Sequence, residues 1–295
     1  MAGETPVHFF DLYSDQPGAQ LYLSMEDIAK ESLTSPTGPL KSWSPNTLKT
    51  RVVLNFKGIP YTQSWHSYPD IKPLISSFGV PPNDQGRPYT LPAIKHSSVT
   101  FHSSGVTMDS QVIALHLDKV YPSPPLFPSG DASYALFVAV SRFLTLLEPG
   151  FRPFVVPRVP DHLDPRGSKY FHETRAVALG KPLSQVRPTD QATIESKWEL
   201  VESETVPLLK MLKGRDCKKG PFFEGEHAGY ADLLLATALA FIQRFDTELH
   251  EKFLNLGDGE FRDLYQAVLP WLEGQGEEKD WPVPEASNNP RFDAE

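Results

Sequence analysis

Trp43-Ser44-Pro45-Asn46-Thr47-Leu48-Lys49-Thr50-Arg51-Val52-Val53-Leu54-Asn55-Phe56-Lys57-Gly58-Ile59-Pro60-Tyr61 spells a helix with both ends marked. From Thr47 onward Leu48, Val52 and Phe56 recur at helical spacing. Ser44 suits the cap, Pro45 the first turn, where its missing N–H costs nothing, and Gly58-Ile59-Pro60 the stop. Upstream, residues 7–13 are short, aromatic and β-prone, and a polar segment with Gly and Pro, residues 14–40, separates them from the helix. Downstream, Tyr61–His66 reads as a second strand, and Pro69-Asp70 opens a short helix carrying Ile71, Leu74 and Phe78. Residues 91–95 and 99–102 predict a hairpin around His96-Ser97-Ser98. A further helix from Ser110 puts Ile113, His116, Leu117 and Val120 on one face. The order is βαβαββα.

A proline cluster, Tyr121-Pro122-Ser123-Pro124-Pro125-Leu126-Phe127-Pro128, follows that helix and reads as an interdomain linker. Residues 1–121 therefore form a mixed α/β domain with the inserted loop 14–40, residues 122–130 the linker, and residues 131–295 a second domain. Strands disappear beyond the linker. Residues 132–147 are rich in Ala, Leu, Phe and Val, and residues 190–212 place Ile194, Trp198, Val201, Leu208 and Leu212 along a helical stripe. Tyr230–Phe245 is apolar almost all round, the pattern of a helix at a domain centre. Residues 149–188 carry many prolines and charges and yield no assignment, and the acidic tail after Trp271 is expected to wrap the surface.

Composition removes several function classes. A formal net charge of −9 with no dense basic run opposes nucleic acid and anionic membranes. Cys217 is the only cysteine, so no intrachain disulfide and no cysteine-based metal cluster can form. The first residues lack the pattern of a secretory leader, and no stretch of the sequence approaches the length of a bilayer span, so the cytosol is the expected compartment. The nine histidines show no compact ligand spacing, and Gly-x-Ser-x-Gly, Walker and dinucleotide glycine motifs are absent.

A hydroxyl at a helix N-terminus, where N–H groups are unpaired and the macrodipole is positive, can hold a thiolate. Ser44 is so placed, and Leu91-Pro92 and Asp109-Ser110 stand at two further element starts. With this order of elements, and with Thr90-Leu91-Pro92 before the third strand, the chain resembles a cytosolic glutathione transferase over nearly its whole length. The run from Trp43 to Tyr61, Trp65, Tyr68-Pro69-Asp70-Ile71 and Pro81-Pro82 look most like the fungal etherase-related, serine-type branch, some of whose ascomycete members act in secondary metabolism. The implied fold is a thioredoxin-like N-terminal domain followed by an all-α C-terminal domain. Two features depart from the family pattern. Loop 14–40 is longer than usual, and Gly229 stands where many relatives have a Ser or Thr cap three residues before the Asp, here Asp232.

The resemblance implies glutathione as cosubstrate. Ser44 would donate to its sulfur, with Asn46 as a second donor and the N–H groups near Asn46 and Thr47 adding the helix-end field. Pro92 would be cis, with Leu91 pairing with the cysteinyl backbone, and Asp109 and Ser110 would hold the γ-glutamyl end. Each has a plainer reading: Ser44 and Asp109-Ser110 as helix caps, and Pro92 as a trans proline at a strand start. Phe151, Phe154, Tyr170 and Phe171 fall where a relative would bind a small hydrophobic electrophile. Thiolate attack on it would give a conjugate, a cleaved ether, or trans-to-cis isomerisation of a conjugated alkene by reversible addition. The family's habit implies a homodimer. A thioredoxin-type oxidoreductase is disfavoured, because Ser44 and Thr47 occupy its two cysteine positions. A non-catalytic glutathione-binding module of the same fold remains the alternative.

Overall fold

A computed structural model of the chain describes residues 7–15, 41–100 and 102–284. Loop 14–40 from residue 16 onward, and Phe101 of the expected strand 99–102, lie outside the described residues.

Strand β1 (Val7–Leu12) is buried at every residue, as a central strand covered on both faces should be. It pairs in parallel with β2 (Tyr61–His66), Val7 opposite Tyr61 through Leu12 opposite His66. That pairing needs a crossover, which contains α1 (Pro45–Phe56). After a short 3₁₀ turn comes α2 (Ile71–Ser77). Strands β3 (Ala93–Lys95) and β4 (Val106–Met108) extend the sheet antiparallel on the other side of β1, and α3 (Ser110–Val120) follows. The sheet order is β4-β3-β1-β2-β5, where β5 (Glu277–Glu278) is a short strand near the C-terminal end of the described chain.

The second hairpin strand lies later than residues 99–102. Val99 N–H bonds back to the His96 carbonyl at 3.0 Å and Gly105 N–H to the His102 carbonyl at 3.0 Å, so the chain turns twice before pairing resumes. Gly105 adopts φ +70°, and a Cβ there would stand 3.0 Å from the His96 carbonyl oxygen, so glycine at this position delays the strand to Val106.

Helix α4 (Asp131–Val155) runs through Pro149 and Pro153 instead of ending near residue 147. Leu147, Gly150, Phe151 and Val155 continue its buried stripe, and that burial outweighs the roughly 3 kcal/mol cost of an interior proline. With the 3₁₀ turn Val156–His162 it forms one helical stretch, Asp131–His162, that by length and composition alone could cross a membrane, which corrects the sequence expectation of no such stretch. Here α4 packs against α6 (Gln191–Lys213) and α7 (Tyr230–Phe245). The unassigned segment 149–188 also contains α5 (Pro165–Leu179).

Helix α7, buried along nearly its whole length, touches α1 as well as α4, α8 (Thr247–Leu254) and α9 (Glu260–Glu273), and so joins the helical half to the sheet half. Asp232 accepts from Gly229 N–H and Phe223 N–H, both at 2.8 Å, which keeps the surviving half of the capping arrangement. The chain after α9 does not merely wrap the surface. Glu277–Glu278 add β5 in parallel to β2, and buried Arg51 anchors the approach by donating to the Gly274 carbonyl at 2.8 Å and Gln275 Oε1 at 3.1 Å.

Candidate functional site

Three element starts converge: the N-terminus of α1, the segment entering β3, and the N-terminus of α3. They border a cavity of about 370 Å³, whose walls include Asn46, Lys49, Thr90, Leu91, Asp109 and Ser110, closed from the helical half by Phe137 and Tyr230. A larger cavity of about 900 Å³ adjoins it between the sheet half and α4 and α5. Asn46, Arg87, Thr90 and Leu91 belong to both walls, so the two spaces meet there.

Ser44 precedes α1 with extended backbone, φ −67° and ψ 129°, and its side chain makes no capping hydrogen bond. The capping reading of this serine is therefore not realised. Ser44 borders the larger cavity while almost fully buried. Asn46 Oδ1 accepts from Lys49 Nζ at 3.1 Å. An ammonium can only donate, so the contact fixes which amide atom is oxygen and leaves the Asn46 NH₂ as the free donor of this exposed side chain. Burial lowers the pKa of Lys49, with Glu148 and Asp109 opposing.

The expectation for Thr47 concerns its backbone N–H, and its side chain takes no part in either cavity. That side chain is fully buried and donates to the Ser44 carbonyl at 3.3 Å. Being one position beyond Asn46 turns it about 100° around the helix, toward the sheet.

The Leu91-Pro92 peptide is cis, and both residues line the smaller cavity just before the paired residues of β3 begin at Ala93. Asp109 has φ 74° and ψ 121° and, among the described residues, is the only non-glycine with positive φ. A conformation of this kind costs on the order of 1–3 kcal/mol and is found where surrounding structure imposes it. Its Oδ1 accepts from Gln111 N–H at 2.7 Å and Val112 N–H at 3.2 Å, so Asp109 does cap α3. Capping and cavity lining coexist at this residue.

Of the four aromatics expected around a hydrophobic ligand, only Tyr170 lines the larger cavity, stacked on Tyr68 at 5.9 Å and 12°. Phe171, next on α5, turns into the core and packs on Tyr68 at 5.5 Å. Phe151 is a core residue against Phe253, and Phe154 lies beside Arg187, which donates to its carbonyl at 2.5 Å. Phe151, Phe154 and Phe171 thus line neither cavity, because adjacent residues on a helix face about 100° apart and the helical phase of segment 149–188 is not legible in its sequence. Tyr68, Arg87, Tyr89, Lys49 and Arg175 also line the cavities, and no local pattern in the sequence places them there. Tyr68 lay in a motif already noted, whereas Arg87 and Tyr89 come from a polar, irregular segment with no periodicity to place them.

Two family models match the chain: the glutathione S-transferase N-terminal domain over residues 43–120 and the glutathione S-transferase C-terminal domain over residues 135–271. The glutathione S-transferase-like protein ustS of Aspergillus flavus is 48% identical over 288 residues, covering 96% of this chain and 97% of that protein. Among solved structures, glutathione transferase GSTFuA3 of Phanerochaete chrysosporium superposes with a TM-score of 0.73 at 29% identity, covering 91% of this chain and 98% of its own. The glutathione S-transferase CsGST63524 of Ceriporiopsis subvermispora, in complex with glutathione, superposes with a TM-score of 0.72 at 27% identity, covering 96% and 100%.

Proposed function

Since this chain belongs to the glutathione S-transferase family through both of its halves, we propose that residues 1–121 hold glutathione in the smaller cavity and that residues 131–295 supply one side of an electrophile site in the larger one. The observation that carries this reading is the meeting of the two cavities beside Asn46, with Ser44 on the larger wall. Asp109 and Ser110 take the γ-glutamyl end, Leu91 the cysteinyl backbone, and the sulfur lies at the junction. There the Asn46 amide and the Ser44 hydroxyl donate to the thiolate, and the N-terminus of α1 adds positive potential.

Sulfur then forms a bond to an activated carbon of the electrophile. With a leaving group on that carbon, the C–S bond replaces the C–X bond, giving a conjugate or a cleaved ether. With a conjugated alkene, addition places the electron pair on the conjugated carbonyl. Rotation about the temporarily single bond and expulsion of the thiolate return the cis alkene with glutathione regenerated. Exposed Val112 and Leu115 on α3 and Tyr134 and Val138 on α4 support assembly of two copies as a homodimer.

The test is an ultraviolet titration of bound glutathione thiolate against pH for wild type, Ser44→Ala and Asn46→Ala. A thiol pKa below the free value of about 8.5 that rises in either variant supports the reading. Bound glutathione with no shift in wild type moves it to a non-catalytic glutathione-binding module.

A further inference from the structure

Among the described residues, the lining of the larger cavity carries a charge opposite to that of the chain. The protein carries a formal net charge of −9, yet among the described residues Arg87, Arg152 and Arg175 line this cavity against one carboxylate, Glu148. Glu148 is already committed to Arg152 at 2.7 Å.

Arg175 is the half-buried member of this set that borders only the larger cavity. It lies on α5, its guanidinium stands 4.2 Å from the Phe171 ring and 5.6 Å from the Tyr68 ring, and Nη1 donates to Thr174 Oγ1 at 3.1 Å. No described carboxylate lies within ion-pairing distance of it. Burial lowers its pKa, and the cations Arg87 and Arg152 add to that while the Tyr68 and Tyr170 phenols oppose it. A partly desolvated cation among like charges gains most from an anion delivered by a ligand. Tyr68 stacked with Tyr170 presents aromatic surface on the same wall. Arg87 borders both cavities and is available to glutathione itself, whereas Arg175 borders only the larger one.

We propose that the electrophile is an anion, a carboxylate on an aromatic framework, whose charge is read by Arg175 while its ring packs against the Tyr68 and Tyr170 wall. This rests on reading the larger cavity as the electrophile site. Arg175 is thus a specificity residue of the larger cavity.

The experiment compares the affinities of 3-nitrobenzoate and 3-nitrobenzamide for the whole protein, with and without S-methylglutathione to fill the thiol site. Wild type should bind the carboxylate about tenfold more tightly than the amide, as one charge-assisted contact predicts. Arg175→Gln should abolish that preference without changing amide affinity, Arg175→Lys should restore part of it, and Arg142→Gln, on the exposed side of α4, should keep it. Equal affinities in wild type, a preference that persists in Arg175→Gln, or no saturable binding of either compound overturns the proposal. Glutathione-dependent chloride release from 4-chloro-3-nitrobenzoate, where sulfur takes the ring carbon and chloride leaves, reports separately on the transferase reading. Its absence alongside an intact carboxylate preference removes that reading and leaves the anion site in place.

Discussion

Lys49 Nζ donates to Asn46 Oδ1 at 3.1 Å, one turn inside the helix that begins at Pro45. The contact fixes the Asn46 amide, so that its NH₂ is the group left to donate where the two cavities meet. Asn46→Ala should cost roughly one hydrogen bond to a charged acceptor, about 1.5–3 kcal/mol in kcat/KM for a glutathione conjugation. Asn46→Asp, which sets a carboxylate beside the sulfur, should cost more and raise the bound thiol pKa further. Steady-state kinetics together with the thiolate titration check this, and an Asn46→Asp variant with wild-type turnover would remove Asn46 from the site.

Lys49 also makes the arrangement sensitive to its own replacement. Lys49→Met should leave glutathione binding largely in place but free the amide to rotate, lowering kcat more than it raises KM. Equal kcat in the variant would mean that Asn46 needs no orienting partner. The comparison is a kcat and KM pair measured with glutathione varied.

Lys57 closes the link between the halves. Its ammonium is fully buried and reaches Asp118 Oδ1 at 2.6 Å, the Tyr121 carbonyl at 2.8 Å and the Pro124 carbonyl at 2.7 Å, while Asp118 also accepts from Leu126 N–H at 2.8 Å. Lys57→Met leaves a carboxylate and two carbonyls without their donor, and should destabilise the fold by about 3–5 kcal/mol. Urea unfolding measures it, and a midpoint shift equivalent to less than about 1 kcal/mol would contradict the account.

Gly150 allows α4 to approach α6 closely. A Cβ there would meet Val201 Cγ2 at 2.5 Å and the Lys197 carbonyl at 3.1 Å. Gly150→Ala gains about 1 kcal/mol of helix propensity, yet overpacking should exceed it and give a net loss of about 1–2 kcal/mol. Thermal unfolding of Gly150→Ala beside Gly150→Ala/Val201→Ala decides the cause, since only a clash is relieved by the second change.

Acidification should destabilise the fold. Burial lowers the pKa of His8, His66 and His250 to about 4, with His66 adding to the shift of His8. Below the unfolded-state value of about 6.5 the unfolded chain binds more protons, so this stability is complete above that value and is lost as pH falls toward 4. Burial raises the pKa of Asp232 to about 6, which works the other way: its contribution is present at low pH and lost as pH rises through 6. Burial also lowers the pKa of His116 and His162 and raises that of Asp11 and Glu273, so five histidines oppose three carboxyls, and a net loss of stability from pH 7 to pH 5 is expected in urea unfolding. His250→Gln should flatten the dependence.

By itself the sequence determined the elements whose periodicity and end signals agree. Helix α1, with Ser44, Pro45 and Gly58 at its ends, β2, and the apolar run of α7 fall where local chemistry places them, because caps and hydrophobic stripes act over a few residues. Ser44, Asn46, Leu91, Pro92, Asp109 and Ser110 were legible for the same reason, each standing at or next to an element start, and all of them border the two cavities. Only the tertiary structure decided the rest. It set the phase of α5, which turns Tyr170 outward and Phe171 inward, the passage of α4 through two prolines, and the return of the chain to the sheet at Glu277. It also brought Arg87 and Arg175, distant in sequence, to one cavity wall. These outcomes depend on which surface each segment meets, and that is a property of packing between segments that no local pattern encodes.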